Sequence, residues 1–471
     1  MKFQVEVVIK DESGQVMQRS VIFERLCVSF DDAIGGLGLS LADSKTLVAD
    51  VQKQRLETQV HGFSFGDKCC PTCSEAVKRK DVQTIVYRTL FGKFTLPNER
   101  FLFCVSCGVQ GKKSFSPLSD LLITHTHPEL IYMQTRWAAL LPFGQSLRLL
   151  EDVLPIEGAI SLTNMKLKTA HVGQRIEADR TKQSELVAPP EIAQIAAAAG
   201  EEQTPTALDV GVDAGYIRSN AAKGEDTRKF GAIAVKTVET KSRSHAYVQT
   251  EVADGDKRII KFFEQGSDAP LTNVTFFTDA GNDIKAATPL VGKGSQRILD
   301  WFHFAMYFQI ALQTATPFKR WQYNAVRTIF EEIERIKWRF WHGQAEAACH
   351  RLQLLATWIG SKANTKVKVK VKLTERLFDL LHYAQDNIDY LVNYARRHRN
   401  GQRISSAMAE SVVNQVISRR FVKKQQMRWS PQGAHHLLQV RTAVLNDELA
   451  QHFKRWHPGF ATNDPVYARA A

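Results

Sequence analysis

The sequence predicts a multidomain α/β protein, and three observations carry that expectation. Apolar residues alternate in short runs near the N-terminus and again between residues 207 and 278, as on half-buried strands. From Ser295 to about Asn446 the apolar spacing becomes helical. Two Cys-x-x-Cys pairs and a helical stretch lie between the strand-rich parts, and 471 residues are enough for about three domains.

Residues 1–60 open with the alternating runs Phe3–Ile9 and Val16–Phe23. The turn residues Asp11, Glu12, Ser13 and Gly14 lie between them, which predicts a β-hairpin. Residues 61–115 hold Cys70-Pro-Thr-Cys73 and Cys104-Val-Ser-Cys107. That spacing lets a tight knuckle present two thiolates to one tetrahedral Zn²⁺. Two strand-like runs, Val82–Leu90 and Arg100–Phe103, separate the pairs, which is the layout of a zinc ribbon. Free thiols or redox use are the alternative. Cys69 adjoins Cys70 but lacks the spacing to Cys73. His125 and His127 read as the start of a helix, since four thiolates already close the site.

Residues 116–180 read as helical. Phe143–Leu154 is a short helix, Pro155–Ile160 a break, and Ser161 caps a second helix to about Ala178. Leu162, Met165, Val172 and Ile176 form its apolar stripe. His171, Gln174 and Arg175 lie opposite, flanked by Lys166 and Lys168. Such a face suits entry into a DNA major groove, as in a helix-turn-helix; an ordinary amphipathic helix is the alternative. Residues 181–206, rich in Ala, Gln, Glu and Pro, read as a linker.

A core follows over 207–305, with strand-like runs at 208–213, 230–238, 245–252 and 274–278. Residues 306–398 read as a mainly helical insertion, 399–450 as the end of the core and 451–471 as a tail. Within the insertion Thr365–Leu373 alternates Lys with Val like a basic strand. Lys366, Lys368, Lys370 and Lys372 would share its face and attract phosphates; a lysine-protected edge strand is the alternative.

Three acidic residues stand out. Asp213 ends the run Leu208–Asp213, opposite Leu208, Val210 and Val212. Asp279 ends Val274–Asp279. Glu410 lies early in a helical stretch, Ser406–Arg420, one turn from Asn414. Two strand-end aspartates and a later helix glutamate suit two-metal phosphodiester chemistry, with Mg²⁺ (or Mn²⁺) ions roughly 3.5–4 Å apart. A single strand-end Asp is more often a turn or cap residue, and Asp209 and Asp283 are runners-up. Arg396, Arg397, Arg399 and Arg403 precede Glu410, and Arg419, Arg420, Lys423, Lys424 and Arg428 follow it. These clusters could hold a DNA backbone.

The formal charge of +13 and pI near 9.3 favour a polyanionic partner, nucleic acid first. The opening MKFQVEVVIK alternates, unlike a signal peptide, and no run approaches the ~18 apolar residues of a membrane span. A cytoplasmic protein with no membrane partner is expected.

Several stretches resemble bacterial DDE-type insertion-sequence transposases, most closely the ISKra group. They are LDVGVDAGYIRS (208–219), FFTDAGNDIKAA (276–287), RILDWFHFAMYF (297–308) and the long stretch from Ile404 to Asn446, together with the paired cysteines. The resemblance spans most of residues 60–450. It implies a ribonuclease-H-like catalytic fold, a transposase activity and Asp213, Asp279 and Glu410 as the acidic triad. Asp300-Trp-Phe-His303 is similar to the C/D-x-x-H signature of Mutator-like transposases and implies that His303 orients a phosphate or water; a packed core histidine is the alternative. The implied partners are double-stranded DNA, as element ends and target, and further copies of the chain when DNA is bound. The implied location is the bacterial nucleoid. A ribonuclease-H-like nuclease that cuts without joining, or a non-catalytic regulator derived from such an element, are the rival readings.

Overall fold

The computed structural model describes residues 2–26, 38–65, 69–70, 73–103, 114–186, 206–221, 228–237, 243–252, 259, 271–279, 295–361, 368–405, 413–421 and 427–461. The chain is mixed α/β and divides into two compact units, residues 1–172 with 448–471, and residues 173–447.

In the first unit the N-terminal hairpin forms as expected. Strands β1 (Lys2–Lys10) and β2 (Val16–Leu26) pair antiparallel, and Gly14 takes the φ of +87° that the turn needs. Helix α1 (Leu41–Phe65) crosses the expected boundary at residue 60. Its Leu56 and Val60 pack on Ile85, Tyr87 and Leu96 of the next sheet. That sheet joins β3 (Arg79–Thr89), β4 (Gly92–Leu102) and β5 (Ser114–Phe115), all antiparallel. Gly92, with φ +136°, closes the tight turn and lets β4 begin well before Arg100. Helices α2 (Pro117–Leu121), α3 (Pro128–Leu140) and α4 (Phe143–Val153) follow, then α5 (Leu162–Leu186). Leu130, Leu150, Ile156 and Met165 bury together between them. His127 does start a helix: its Nδ1 accepts from Glu129 N at 3.3 Å and caps α3.

The second unit is built on five strands, β6 (Thr206–Arg218), β7 (Lys229–Thr237), β8 (Ser244–Val248), β9 (Leu271–Thr278) and β10 (Gln296–Leu299). Their order is β10-β9-β6-β7-β8. β6, β7 and β8 run antiparallel, whereas β9 is parallel to β6 and β10 to β9. Four of these strands fall on the alternating runs, but β6 continues past Asp213 to Arg218, and β8 stops at Val248, where Gln249–Glu251 forms a 3-10 turn instead of continuing the expected strand to residue 252. β10 is too short to alternate visibly.

Helix α6 (Trp301–Ala315) follows β10 directly. Helices α7 (Ile329–Trp341), α8 (Ala345–Ser361) and α9 (Lys368–Asp386) complete a helical core around Phe304, Phe308, Ile333, Ile336 and Leu380. α9 corrects one expectation, because Lys368–Leu373 is helix and not a basic strand. The Val and Lys alternation is overridden by Leu373, Leu377, Leu380 and Leu381, whose helical spacing buries them in that core. Short helix α10 (Tyr394–Arg399) leads towards the C-terminal part of the sheet. There a π-helical turn, Val413–Ser418, runs into a helical turn at Arg419–Phe421. Helix α11 (Pro431–Leu445) packs beside them on β8.

Among the described residues no helix is long and apolar enough to cross a membrane.

Candidate active site

The two faces of β6 are chemically distinct. Leu208, Val210 and Val212 face an apolar layer with Ile233, Val235, Val274 and Phe276. Asp209, Gly211, Asp213, Gly215 and Ile217 occupy the other face by the alternation of the strand. Ile217 packs there with Val416, Ile417 and Leu437.

Asp213 and Asp279 are brought together by register. In the parallel ladder Asp209 pairs with Thr275 and Gly211 with Phe277. Asp213 and Asp279 each stand two residues further on, at one level and half-buried; Asp279 follows the last residue of β9, whereas Asp213 lies inside β6 and does not end it as expected, because β6 stays paired with β7 as far as Arg218. Neighbouring strands lie about 4.8 Å apart. Asp213 Oδ1 accepts from the next backbone amide, Ala214 N, at 2.7 Å.

Glu410 lies outside the described residues, but both segments around it are well placed. Upstream, Arg403 Nε is 3.5 Å from Asp209 Oδ2, Trp301 N donates to Ile404 O, and Ser405 Oγ donates to Asp300 Oδ1 at 2.8 Å. Downstream, Val413 and Ile417 close onto Gly215. A Cβ there would come within 2.9 Å of Ile417 Cδ1 and 3.1 Å of Val413 Cγ1, so the glycine permits this approach. Buried Arg441 of α11 holds the π-helical turn: its Nε donates to Val416 O at 2.7 Å and its Nη2 to Gln415 O. Burial lowers its pKa to about 10. π-helical turns recur at functional sites.

Asp300 is almost wholly buried and caps α6, its Oδ1 accepting from Phe302 N at 2.7 Å and His303 N at 3.4 Å. His303 is half-buried one turn into α6, edge-on to Phe302. Tyr383 Oη donates to Asp279 O at 2.7 Å, and Tyr383 stacks on Tyr307 at 4.3 Å. Burial, then the Asp279 and Asp379 charges, raise the Tyr307 pKa. Burial also pushes the Asp209 carboxyl up, opposed by Arg397, Arg403 and a hydrogen bond from Thr275.

The expected DNA contacts divide. On α5, Lys166, His171, Gln174 and Arg175 are exposed and Lys168 half-exposed, while Met165, Val172 and Ile176 are buried. Arg419 is exposed, but Arg420 is fully buried against Trp429, its guanidinium 5.2 Å from the ring, and burial lowers its pKa to about 9. Lys370 is buried over the Trp321 ring at 4.8 Å, whereas Lys372 is exposed, so the two do not share a face. Arg420 and Lys370 therefore belong to packing, not to a DNA surface. The side chain of Lys368, together with Lys366, Lys423 and Lys424, lies outside the described residues.

Of the cysteines, Cys70 is buried and Cys73 exposed at a turn in which Ser74 N donates to Cys70 O at 2.9 Å. Cys104 and Cys107 lie outside the described residues; the chain leading to them ends β4, whose Phe101 pairs with Arg79. Among the described residues no three His, Cys, Asp or Glu side chains are grouped to hold a metal ion.

Sequence reasoning missed Asp300 as a cap and Arg441 as the holder of the π-helical turn. Compared with known proteins, the chain matches no family model and no curated protein.

Proposed function

We propose that the chain is a DNA transposase that binds the ends of its own element, cuts a DNA strand and joins the new 3′-hydroxyl to target DNA. The observation that supports this is the register of β6 against β9, which ends at Gly211 and Phe277 and, continued two residues, brings Asp213 level with Asp279. Three antiparallel strands followed by two parallel ones support a ribonuclease-H-like core. The packing of Val413, three residues after Glu410, against the Asp213 face supports Glu410 as the third acid.

Two adjacent carboxylates offer the hard oxygens that Mg²⁺ prefers, and Glu410 would add a third donor. When bound, the ions supply activation of the attacking oxygen and stabilisation of the leaving one. The chain's own part is to hold those carboxylates at one level and to position the Glu410 segment through Arg403, Ser405 and Arg441. His303 would act from the first turn of α6, whose cap Asp300 follows β10 beside β9. No covalent protein intermediate is needed, so no Ser or Tyr nucleophile is assigned. Cys70, Cys73, Cys104 and Cys107 would hold a structural Zn²⁺, and the exposed face of α5 would read DNA.

A strand-transfer assay with a pre-cut element end tests the proposal. Joined product in Mg²⁺ supports it. Hydrolysis without joining would assign the chain to the nucleases, and neither product would refute both.

A further inference from the structure

The face of the sheet that carries Asp213 also carries a cation that the reading above does not use. In the antiparallel ladder Gly211 pairs with Lys236 of β7, and Asp213 with Ala234. Paired residues share a face, so Lys236 and Asp213 are diagonal neighbours on the same side. Such diagonals separate Cα atoms by about 7–8 Å, within reach of a long side chain. Gly211, between Asp209 and Asp213, puts no side chain in the way.

Lys236 is half-buried, and its Nζ lies 3.5 Å from Gln415 Oε1, at the long limit of a hydrogen bond. Among the described residues it forms no ion pair. Gln415 belongs to the π-helical turn that Arg441 holds, so the lysine is steered by the segment that follows Glu410. A half-buried ammonium with one weak partner is poorly compensated for lost hydration. An apolar side chain of similar length would suit a purely structural role better. Burial lowers the Lys236 pKa, which an arriving anion would oppose.

We propose that Lys236 is a further catalytic residue, whose ammonium binds a non-bridging oxygen of the DNA phosphate held at Asp213 and Asp279. This rests on the function proposed above. Charge on that phosphate grows towards the transition state, and a compact point charge fixed beside it stabilises that state more than the ground state. Gln415 is the positioning residue that holds the ammonium between turnovers.

The test is cleavage of labelled duplex DNA by the full chain, with Mg²⁺ and DNA saturating. Lys236→Met should lower kcat about 100-fold, the usual loss for one preorganised donor. Its DNA affinity should stay near wild type, and its melting temperature should hold or rise. Lys236→Arg, which keeps the charge, should recover at least part of the rate. Lys236→Met cleaving at the wild-type rate overturns the proposal, as does a folded Lys236→Arg no better than folded Lys236→Met. If Lys236→Met does not fold, Lys236→Gln, which can still bond Gln415, carries the same expectations. Asp213→Asn separates the two levels: if it is dead while Lys236→Met is active, only the lysine's role falls. If Asp213→Asn cleaves normally, the function proposed above falls and takes the lysine's role with it.

Discussion

Replacing Glu332 should destabilise the second unit without touching the candidate active site. Glu332 lies on α7 with its side chain 1% exposed, Oε2 3.0 Å from Arg327 Nη1 and Oε1 2.6 Å from Arg351 Nη1. One carboxylate thus serves two guanidiniums. Arg335 is close enough to feel the cluster, its pKa lowered first by Arg327. Glu332→Ala removes both hydrogen bonds and leaves like charges facing each other. Breaking a buried pair from one side costs about 3–5 kcal/mol. The arginines are 26% and 36% exposed and recover some hydration, so the lower end applies, about 3 kcal/mol. For a unit of this size 1 kcal/mol moves the midpoint by about 2–4 °C, so the fall should be about 6–12 °C. Glu332→Gln keeps the shape and should lose less. Thermal unfolding followed by far-UV circular dichroism, at low and high salt, reads the effect. Buried pairs are weakly screened, so the loss should persist in salt. A Glu332→Ala midpoint within about 2 °C of wild type would refute the reasoning.

Three further outcomes follow from the same description. Freshly purified, reduced protein should contain about one Zn²⁺ per chain, and Cys70→Ser or Cys104→Ser should lose it and unfold residues 61–115; zinc-free protein contradicts this. Burial lowers the His127 pKa below 6.5 despite Glu129, and its neutral Nδ1 caps α3. The sign follows: the contribution is complete above about pH 6.5 and is lost as pH falls through the depressed folded value. His127→Asn, which caps without titrating, should flatten the pH dependence of unfolding in that window, and an unchanged profile would remove the assignment. Glu410→Gln should abolish strand cleavage while DNA binding stays near wild type, since only a ligand's charge is lost; robust cleavage by this variant would exclude Glu410 as the third acid.

Much of the sheet was legible because its strands are long and one-sided. Leu208, Val210 and Val212 alternate with polar or glycine positions, and that alternation is what half burial demands. β10 was not legible, because Gln296–Leu299 is four residues long and runs straight into the apolar helix α6. The lysine stripe misleads because its alternation over eight residues is overridden by the leucines that follow it. Leu377, Leu380 and Leu381 commit the segment to a helix, and Lys370 is then carried into the core over Trp321. Asp279 could be picked out as a strand end, but Asp213 lies within β6, which continues to Arg218, and the common level of the two depends on which strands pair, which no local pattern states. Lys236 was invisible for the same reason. In sequence it is a lysine at the end of an apolar strand, and only the β6–β7 register sets it beside Asp213.

The central claim is that Asp213 and Asp279 hold the ions that cut DNA. The most direct measurement is Mg²⁺-dependent cleavage of a labelled element end by full-length protein carrying Asp213→Asn or Asp279→Asn, beside exposed Glu334→Gln on α7 as the control. Both aspartate variants should lose more than tenfold in rate, above about 1.4 kcal/mol of barrier, while binding DNA and melting like wild type. Glu334→Gln should cleave within about tenfold of wild type. Cleavage by either aspartate variant at the rate of the Glu334→Gln control would contradict the account.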